Sequence, residues 1–272
     1  MEIILTTTIV ITVIGIIVGA GLVFMGKKFH VDVDEREAAV RECLPGNNCG
    51  ACGYAGCDAA AAAIVAEEAP VTVCPVGGAA VATKIGGIMG ANAEPVERKV
   101  AFVKCRGTCA VTKNQGTYTG IRDCRAAVLS GMNLAECDYG CIGLGSCAAV
   151  CPQNAITVTD GVAKVNEARC VGCGLCAKAC PKNLIELVPE SKFVRVECSN
   201  RDKGPFVKKV CTAGCIGCGI CAKQCGSNAI TVENNLAHVR YENCILCGKC
   251  VEKCPAKVIL PQKAEEPEAK TA

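Results

Sequence analysis

Cys170-Val171-Gly172-Cys173-Gly174-Leu175-Cys176-Ala177-Lys178-Ala179-Cys180-Pro181 is the stretch on which the reading of this sequence turns. Three cysteines stand three residues apart, and a fourth stands just before a proline. Such a loop wraps three thiolates around three corners of a [4Fe–4S] cube, while the fourth cysteine points away to a neighbouring cluster. The run Cys244, Cys247, Cys250 and Cys254-Pro255 repeats the pattern. Two other cysteine chemistries fit less well. Zinc sites pair two Cys-x-x-Cys units across a gap of roughly 12–20 residues, and disulfide scaffolds belong to secreted chains.

Working outward, 26 of the 272 residues are cysteine, Trp is absent, and there are only five Phe and four Tyr. Small modules so poor in aromatics need a brace other than a large apolar core. A net charge of +3 carries no nucleic-acid signal.

The long cysteine region is a duplication. A shift of 74 residues lays Cys137 on Cys211, Cys141, Cys147 and Cys151 on Cys215, Cys221 and Cys225, and Cys170 to Cys180 on Cys244 to Cys254. It also lays Ala155-Ile156-Thr157-Val158 on the identical Ala229-Ile230-Thr231-Val232, and Cys124 on Cys198. Each unit reads as a two-cluster ferredoxin, with strands on the Ile-Thr-Val runs and short helices after the Cys-Pro ends. The cross-over rule gives the second unit two ligand sets. One is Cys215, Cys218, Cys221 and Cys254; the other is Cys244, Cys247, Cys250 and Cys225. In the first unit, Cys170, Cys173, Cys176 and Cys151 form one set. The other has Cys141, Cys147 and Cys180, but Leu144 stands where Cys218 stands in the copy. Cys137 is the nearest substitute for that fourth ligand.

A further group precedes the repeat: Cys49-Gly50-Ala51-Cys52-Gly53-Tyr54-Ala55-Gly56-Cys57, then Cys74-Pro75. Its glycines let the backbone approach a cluster and aim N–H groups at its sulfurs. The alanine-rich stretch from Asp58 to Glu68 predicts a helix that returns the chain to Cys74. Cys43, Cys105, Cys109, Cys124, Cys198 and Cys211 are left over. A sixth cluster drawn from Cys105, Cys109, Cys124, Cys198 and Cys211 is one reading of them, and buried free thiols are the other. The expected cofactors are therefore five or six [4Fe–4S] clusters.

At the N-terminus, Ile3–Met25 runs 23 residues without a charge. As a helix it spans about 34 Å, enough for a hydrocarbon core of about 30 Å. A signal peptide has a basic start and a shorter apolar core; here Glu2 precedes the span and no Lys or Arg does. Lys27 and Lys28 follow it, which places the rest of the chain in the cytoplasm.

The expected architecture is α+β. A transmembrane anchor covers 1–26, a small helical four-cysteine [4Fe–4S] domain 27–95, and two tandem ferredoxin-like two-cluster modules 96–190 and 191–260. A disordered charged tail covers 261–272. His30 and His238 are isolated, Gly86-Gly87-Ile88-Met89-Gly90 reads as a turn-rich stretch without a nucleotide fingerprint, and no catalytic constellation, flavin site or nicotinamide site is evident. From Arg169 to Lys257 there are 14 Lys or Arg against 7 Asp or Glu, an excess of seven. That excess suits either a solvated surface offsetting cluster charge or the docking of an acidic redox protein.

The order of these features resembles the B subunit of the Rnf complex, the ion-translocating ferredoxin:NAD oxidoreductase of bacteria. An apolar anchor is followed by Leu44-Pro45-Gly46-Asn47-Asn48-Cys49 and Cys74-Pro75-Val76-Gly77-Gly78, then by ferredoxin units. The resemblance covers nearly the whole chain, and the second ferredoxin unit matches the longer forms of anaerobes. It implies an inner-membrane subunit that takes electrons from reduced soluble ferredoxin. These would pass to membrane partners of a complex moving Na⁺ or H⁺. It also implies that Cys49, Cys52, Cys57 and Cys74 hold the family's first cluster. An iron–sulfur subunit of another membrane dehydrogenase and a zinc-stabilised scaffold are the alternatives.

Overall fold

A computed structural model describes residues 2–28, 34–92, 97–113, 116 and 118–260; in the first helix it describes side chains only at Thr6 and over 12–25. The expected disordered tail and His30 lie outside the described residues. Helix α1 spans Glu2–Lys28, and its described apolar side chains, Ile16 and Leu22 among them, are exposed. Among the described residues, no helix is long and apolar enough to cross a membrane.

Three helices build the next unit: α2 (Glu35–Cys43), α3 (Cys57–Val65) and α4 (Gly78–Met89). Asp34 caps α2 by accepting the Arg36 N–H at 2.9 Å, as a β-region N-cap should. Ala60, Ala61 and Ala63 are buried on α3, and these small side chains let α3 come close to α2. Val40, Leu44, Ile64 and Ile85 fill the space between the three helices. The Arg41 Nε to Asp58 Oδ1 pair at 2.5 Å closes its rim. The glycine stretch expected as a turn is part of α4, because Ile85 and Gly86 are buried against this core. The helix ends only at Gly90, in the left-handed conformation.

The first ferredoxin-like module contains β1 (Lys99–Val103), α5 (Cys124–Leu129), α6 (Ser146–Ala149), β2 (Ile156–Thr159), β3 (Val162–Val165), α7 (Leu175–Ala179) and β4 (Ile185–Pro189). The second contains β5 (Arg195–Val196), α8 (Gly204–Val210), α9 (Ile220–Lys223), β6 (Ile230–Glu233), β7 (Leu236–Val239), α10 (Lys249–Glu252) and β8 (Ile259–Leu260). All pairings are antiparallel: β1 with β4, β2 with β3, β5 with β8 and β6 with β7. The Ile-Thr-Val runs are strands, as the alternation predicts. The short helices precede the Cys-Pro ends instead of following them. Pro152, Pro181 and Pro255 sit in turns, because the chain must reverse there to enter a strand.

The register reveals where the duplication is offset. Lys104 N–H donates to Leu184 O at 2.7 Å, and Glu197 N–H donates to Val258 O at 2.9 Å. Leu184 and Val258 are 74 residues apart, but Lys104 and Glu197 are 93 apart. The counterpart of Cys198 is therefore Cys105, and the expected match of Cys198 to Cys124 is wrong. Cys105 precedes Cys141 by 36 residues and Cys198 precedes Cys215 by 17, so the first module carries 19 extra residues in this loop. Cys124 lies in that longer loop. Beyond it the 74-residue spacing holds to the atom. Gly143 and Gly217 both have positive φ, and a Cβ would fall 2.5 Å from Gly161 O in one and 2.7 Å from Asn235 O in the other. Only glycine fits where a cysteine loop runs this close to a hairpin turn.

The two modules are stitched together. Arg195, with its side chain 5% exposed, pairs with Glu167 of the first module at 2.5 Å and lies over the Phe102 ring at 5.4 Å. Arg106 donates to Lys257 O at 3.0 Å, and Ser199 donates to Tyr139 O at 2.9 Å.

Candidate metal centres

Each cysteine loop places its sulfurs in a lining of glycine, alanine and branched aliphatic residues. Cys151, Cys170, Cys173 and Cys176 share one pocket with Ala101, Ala155 and Ile156. Cys215, Cys218, Cys221 and Cys254 share another with Val232, Val258 and Ile259. Backbone N–H groups point at the sulfurs: Ala101 at Cys170, Ala155 at Cys151 and Ala229 at Cys225, each at 3.3 Å, and Leu184 at Cys180 at 3.4 Å. Cys225 packs in one core with Cys244 and Cys250. Burial raises the Cys250 thiol, with Cys244 and Cys247 as its charged neighbours. In the helical unit, Gly77 N–H donates to Cys74 Sγ at 3.4 Å. Burial raises Cys74 first, and the charges of Cys52 and Cys57 add to it. Asn48 Oδ1 accepts the Cys57 N–H at 2.8 Å and fixes the start of α3.

The set with the missing ligand is resolved differently from the expectation. Burial pushes Cys147 up to about 11, and the neighbouring charges that add to it are Cys141, Cys124 and Cys180. Burial also raises Cys141, beside Cys124 and Cys180. It is thus Cys124, and not Cys137, that the structure brings to Cys141, Cys147 and Cys180. The extra loop delivers it. Asp123 caps α5 through the N–H groups of Arg125 and Ala126, and Ser146 Oγ accepts the Cys124 N–H at 2.7 Å. Cys124 packs with Ile142 and Leu144, so it reaches the place where the second module has Cys218. The longer loop held one kind of signal for this, cysteines with no counterpart in the copy, Cys109 and Cys124.

Cys137 lies in a pocket with Cys105, Cys198 and Cys211 at the seam between the modules, and Cys141 lines that pocket too. Cys109 lies outside that pocket, at the β2–β3 turn, where its N–H donates to Asp160 O at 2.9 Å. Cys43 ends α2 against the helical core.

Among the described residues, no group of three or more His, Cys, Asp or Glu is drawn together as it would be around one metal ion. Sulfur-only donors, apolar walls and N–H groups aimed at sulfur suit the cube. The buried thiols are protonated without iron: burial pushes Cys176 up to about 12 and Cys221 to about 11. Binding therefore displaces protons.

This fold and these centres define an iron–sulfur protein of the tandem dicluster-ferredoxin class, with an additional cysteine domain at its N-terminal side. Residues 140–184 and 214–259 each match the family described as "4Fe-4S dicluster domain", and residues 44–76 match "Putative Fe-S cluster". The chain carries multiple [4Fe–4S] clusters. It is 46% identical over 236 residues to the B subunit of the Na(+)-translocating ferredoxin:NAD(+) oxidoreductase complex of Acetobacterium woodii, covering 86% of this chain and 71% of that one. It is 42% identical to the B subunit of the proton-translocating ferredoxin:NAD(+) oxidoreductase complex of Clostridium ljungdahlii, over 90% of this chain and 87% of that one. It is 40% identical to the B subunit of the ion-translocating oxidoreductase complex of Methanosarcina acetivorans, over 95% and 98%. The chain belongs to the family of B subunits of ion-translocating ferredoxin:NAD(+) oxidoreductase complexes.

Proposed function

We propose that this chain is the electron-carrying subunit of a membrane ferredoxin:NAD⁺ oxidoreductase that moves Na⁺ or H⁺, with reduced ferredoxin as its donor. The geometry supports five ligand sets. They are Cys49, Cys52, Cys57 and Cys74; Cys151, Cys170, Cys173 and Cys176; Cys124, Cys141, Cys147 and Cys180; Cys215, Cys218, Cys221 and Cys254; and Cys225, Cys244, Cys247 and Cys250. A cluster bound to each set supplies one-electron oxidation and reduction.

The observation that carries this reading is that cysteine loops of matching pattern line apolar pockets in both modules, in a chain of this family. Burial raises the thiol of Cys173 in the first module, and Cys151 and Cys49 of the helical unit add to it. Within that module, Cys147 is among the charged neighbours of Cys176. The chain's residues thus hold and order the centres, wrap them in apolar walls and set their surroundings by N–H contacts. The basic excess from Arg169 to Lys257 supports ferredoxin docking on the C-terminal module. Helix α1, with the uncharged stretch Ile3–Met25 and exposed Val13, Ile17 and Phe24, supports an inner-membrane anchor, and Lys27 and Lys28 support a cytoplasmic position for all that follows. The unit nearest that anchor is then the one that meets the membrane subunits.

Cys74→Ala in the assembled complex tests the hand-over. Ferredoxin-driven NAD⁺ reduction should fall at least tenfold, while dithionite still reduces the centres in the two modules. An unchanged rate would remove the helical unit from the path.

A further inference from the structure

The seam between the modules contains a four-cysteine set that the dicluster pattern does not include. We propose that Cys105, Cys137, Cys198 and Cys211 hold a sixth [4Fe–4S] cluster, two thiolates from each module, which joins the two ferredoxin units. This deepens the iron–sulfur reading above and rests on it.

All four residues line one pocket, with Gly107, Gly140 and Gly214 in its wall and Cys141, already assigned to the neighbouring set, also in its lining. The arrangement is duplicated about the seam. Cys105 Sγ accepts the N–H of Gly107 at 3.4 Å and of Cys141 at 3.3 Å. Cys198 Sγ accepts the N–H of Asn200 at 3.4 Å and of Cys215 at 3.3 Å. Cys137 and Cys211 are the second matched pair, 74 residues apart. Gly140 sits against Cys137, and Gly214 sits against Cys211. At Gly214 a Cβ would strike Val207 Cγ1 at 2.3 Å, so the chain reaches the pocket only as glycine.

The halves are held in register across the seam. Thr112 and Cys211 form an antiparallel bridge, and Thr112 Oγ1 donates to Val210 O at 3.0 Å. The amide of Asn200, a residue 2% exposed, crosses from the second module to donate to Cys137 Sγ at 3.4 Å. A buried amide aimed at sulfur is a common setting for a cluster thiolate, since hydrogen bonds to the sulfurs offset its charge. Lys182 stands beside the pocket, its Nζ donating to Asn133 Oδ1 at 2.6 Å and Asp138 O at 2.9 Å. Its charge opposes that of Cys137, Cys141 and Cys105.

Position gives the set its role. Cys105 touches the backbone of Cys141, a member of the first module's set with Cys124, Cys147 and Cys180. Cys198 touches that of Cys215, a member of the second module's set with Cys218, Cys221 and Cys254. A cluster here would lie between a ligand loop of one module and a ligand loop of the other. Cys105, Cys137, Cys198 and Cys211 would hold a centre able to take one electron from a reduced centre of one module and give one to an oxidised centre of the other, with no bond made or broken.

The test is iron and acid-labile sulfide per chain in the purified full-length protein, prepared without oxygen, with EPR after reduction. The parent should hold about 24 of each, from six cubes of four irons. Cys105→Ala/Cys198→Ala should lower both by about four, and Cys43→Ala/Cys109→Ala should not. A parent with about 20 irons overturns the junction cluster, whether or not the variant folds, and leaves the five-set reading intact. A junction variant that keeps the parent's content also overturns it.

Discussion

Leu144 and Cys124 show what a single residue decides here. The second module has Cys218 at the position of Leu144, and the first module instead brings Cys124 from a loop 19 residues longer to pack on Leu144. Cys124→Ala is expected to cost about four irons per chain, and Leu144→Cys in the same chain to restore them, since it recreates the arrangement of the copy. Metal analysis of the two variants checks this, and failure of Leu144→Cys to rescue would place the fourth ligand elsewhere. The residues of this set were legible except for that one. Cys141, Cys147 and Cys180 follow from spacing, but Cys137 is only four residues from Cys141 while Cys124 is seventeen away. Proximity in sequence therefore favoured Cys137 over the thiol that the fold brings near. Loop length and the packing of Ile142 and Leu144 settle the matter, and neither is visible in a cysteine pattern.

At the scale of elements, the helices and hairpins are short. Strands of two to five residues and helices of four to seven within the modules are too short to be stable alone. They are held because each begins or ends at a cysteine loop. The alternating Ile-Thr-Val strands and the alanine-rich α3 were legible because their side-chain periods are local. The helices before the Cys-Pro turns were misplaced, since the turn after each cysteine is imposed by the strand it must reach. Helix α1 is different in kind, long and with exposed apolar side chains where they are described. A chain beginning at Lys27 should stay in the supernatant after high-speed centrifugation of lysed cells, and the full chain should pellet with membranes and resist carbonate extraction. A full chain released by carbonate would end the anchor proposal.

Across the whole molecule, the cores themselves contain cysteine. Cys147, Cys170 and Cys176 are part of the first module's buried cluster, and Cys198, Cys215, Cys221 and Cys250 part of the second's. Without iron these sulfurs are left as unjoined thiols in small cores, so much of the stability belongs to the metal. Oxidative removal of iron with a chelator should abolish the near-ultraviolet and much of the far-ultraviolet circular dichroism of both modules. Retention of a cooperative thermal transition in the iron-free chain would contradict this. The sequence by itself determined the cluster type, the duplication and the family. All of these are written in local spacing, which the short loops convert directly into geometry. Only the tertiary structure decided that Cys105 pairs with Cys198 as a counterpart, that Cys124 is brought to Cys141, Cys147 and Cys180, and that four thiols from two modules meet at one seam. Those relations join residues up to 106 positions apart, from Cys105 to Cys211, and they depend on how two folded units pack, through Arg195, Glu167 and the Thr112 bridge.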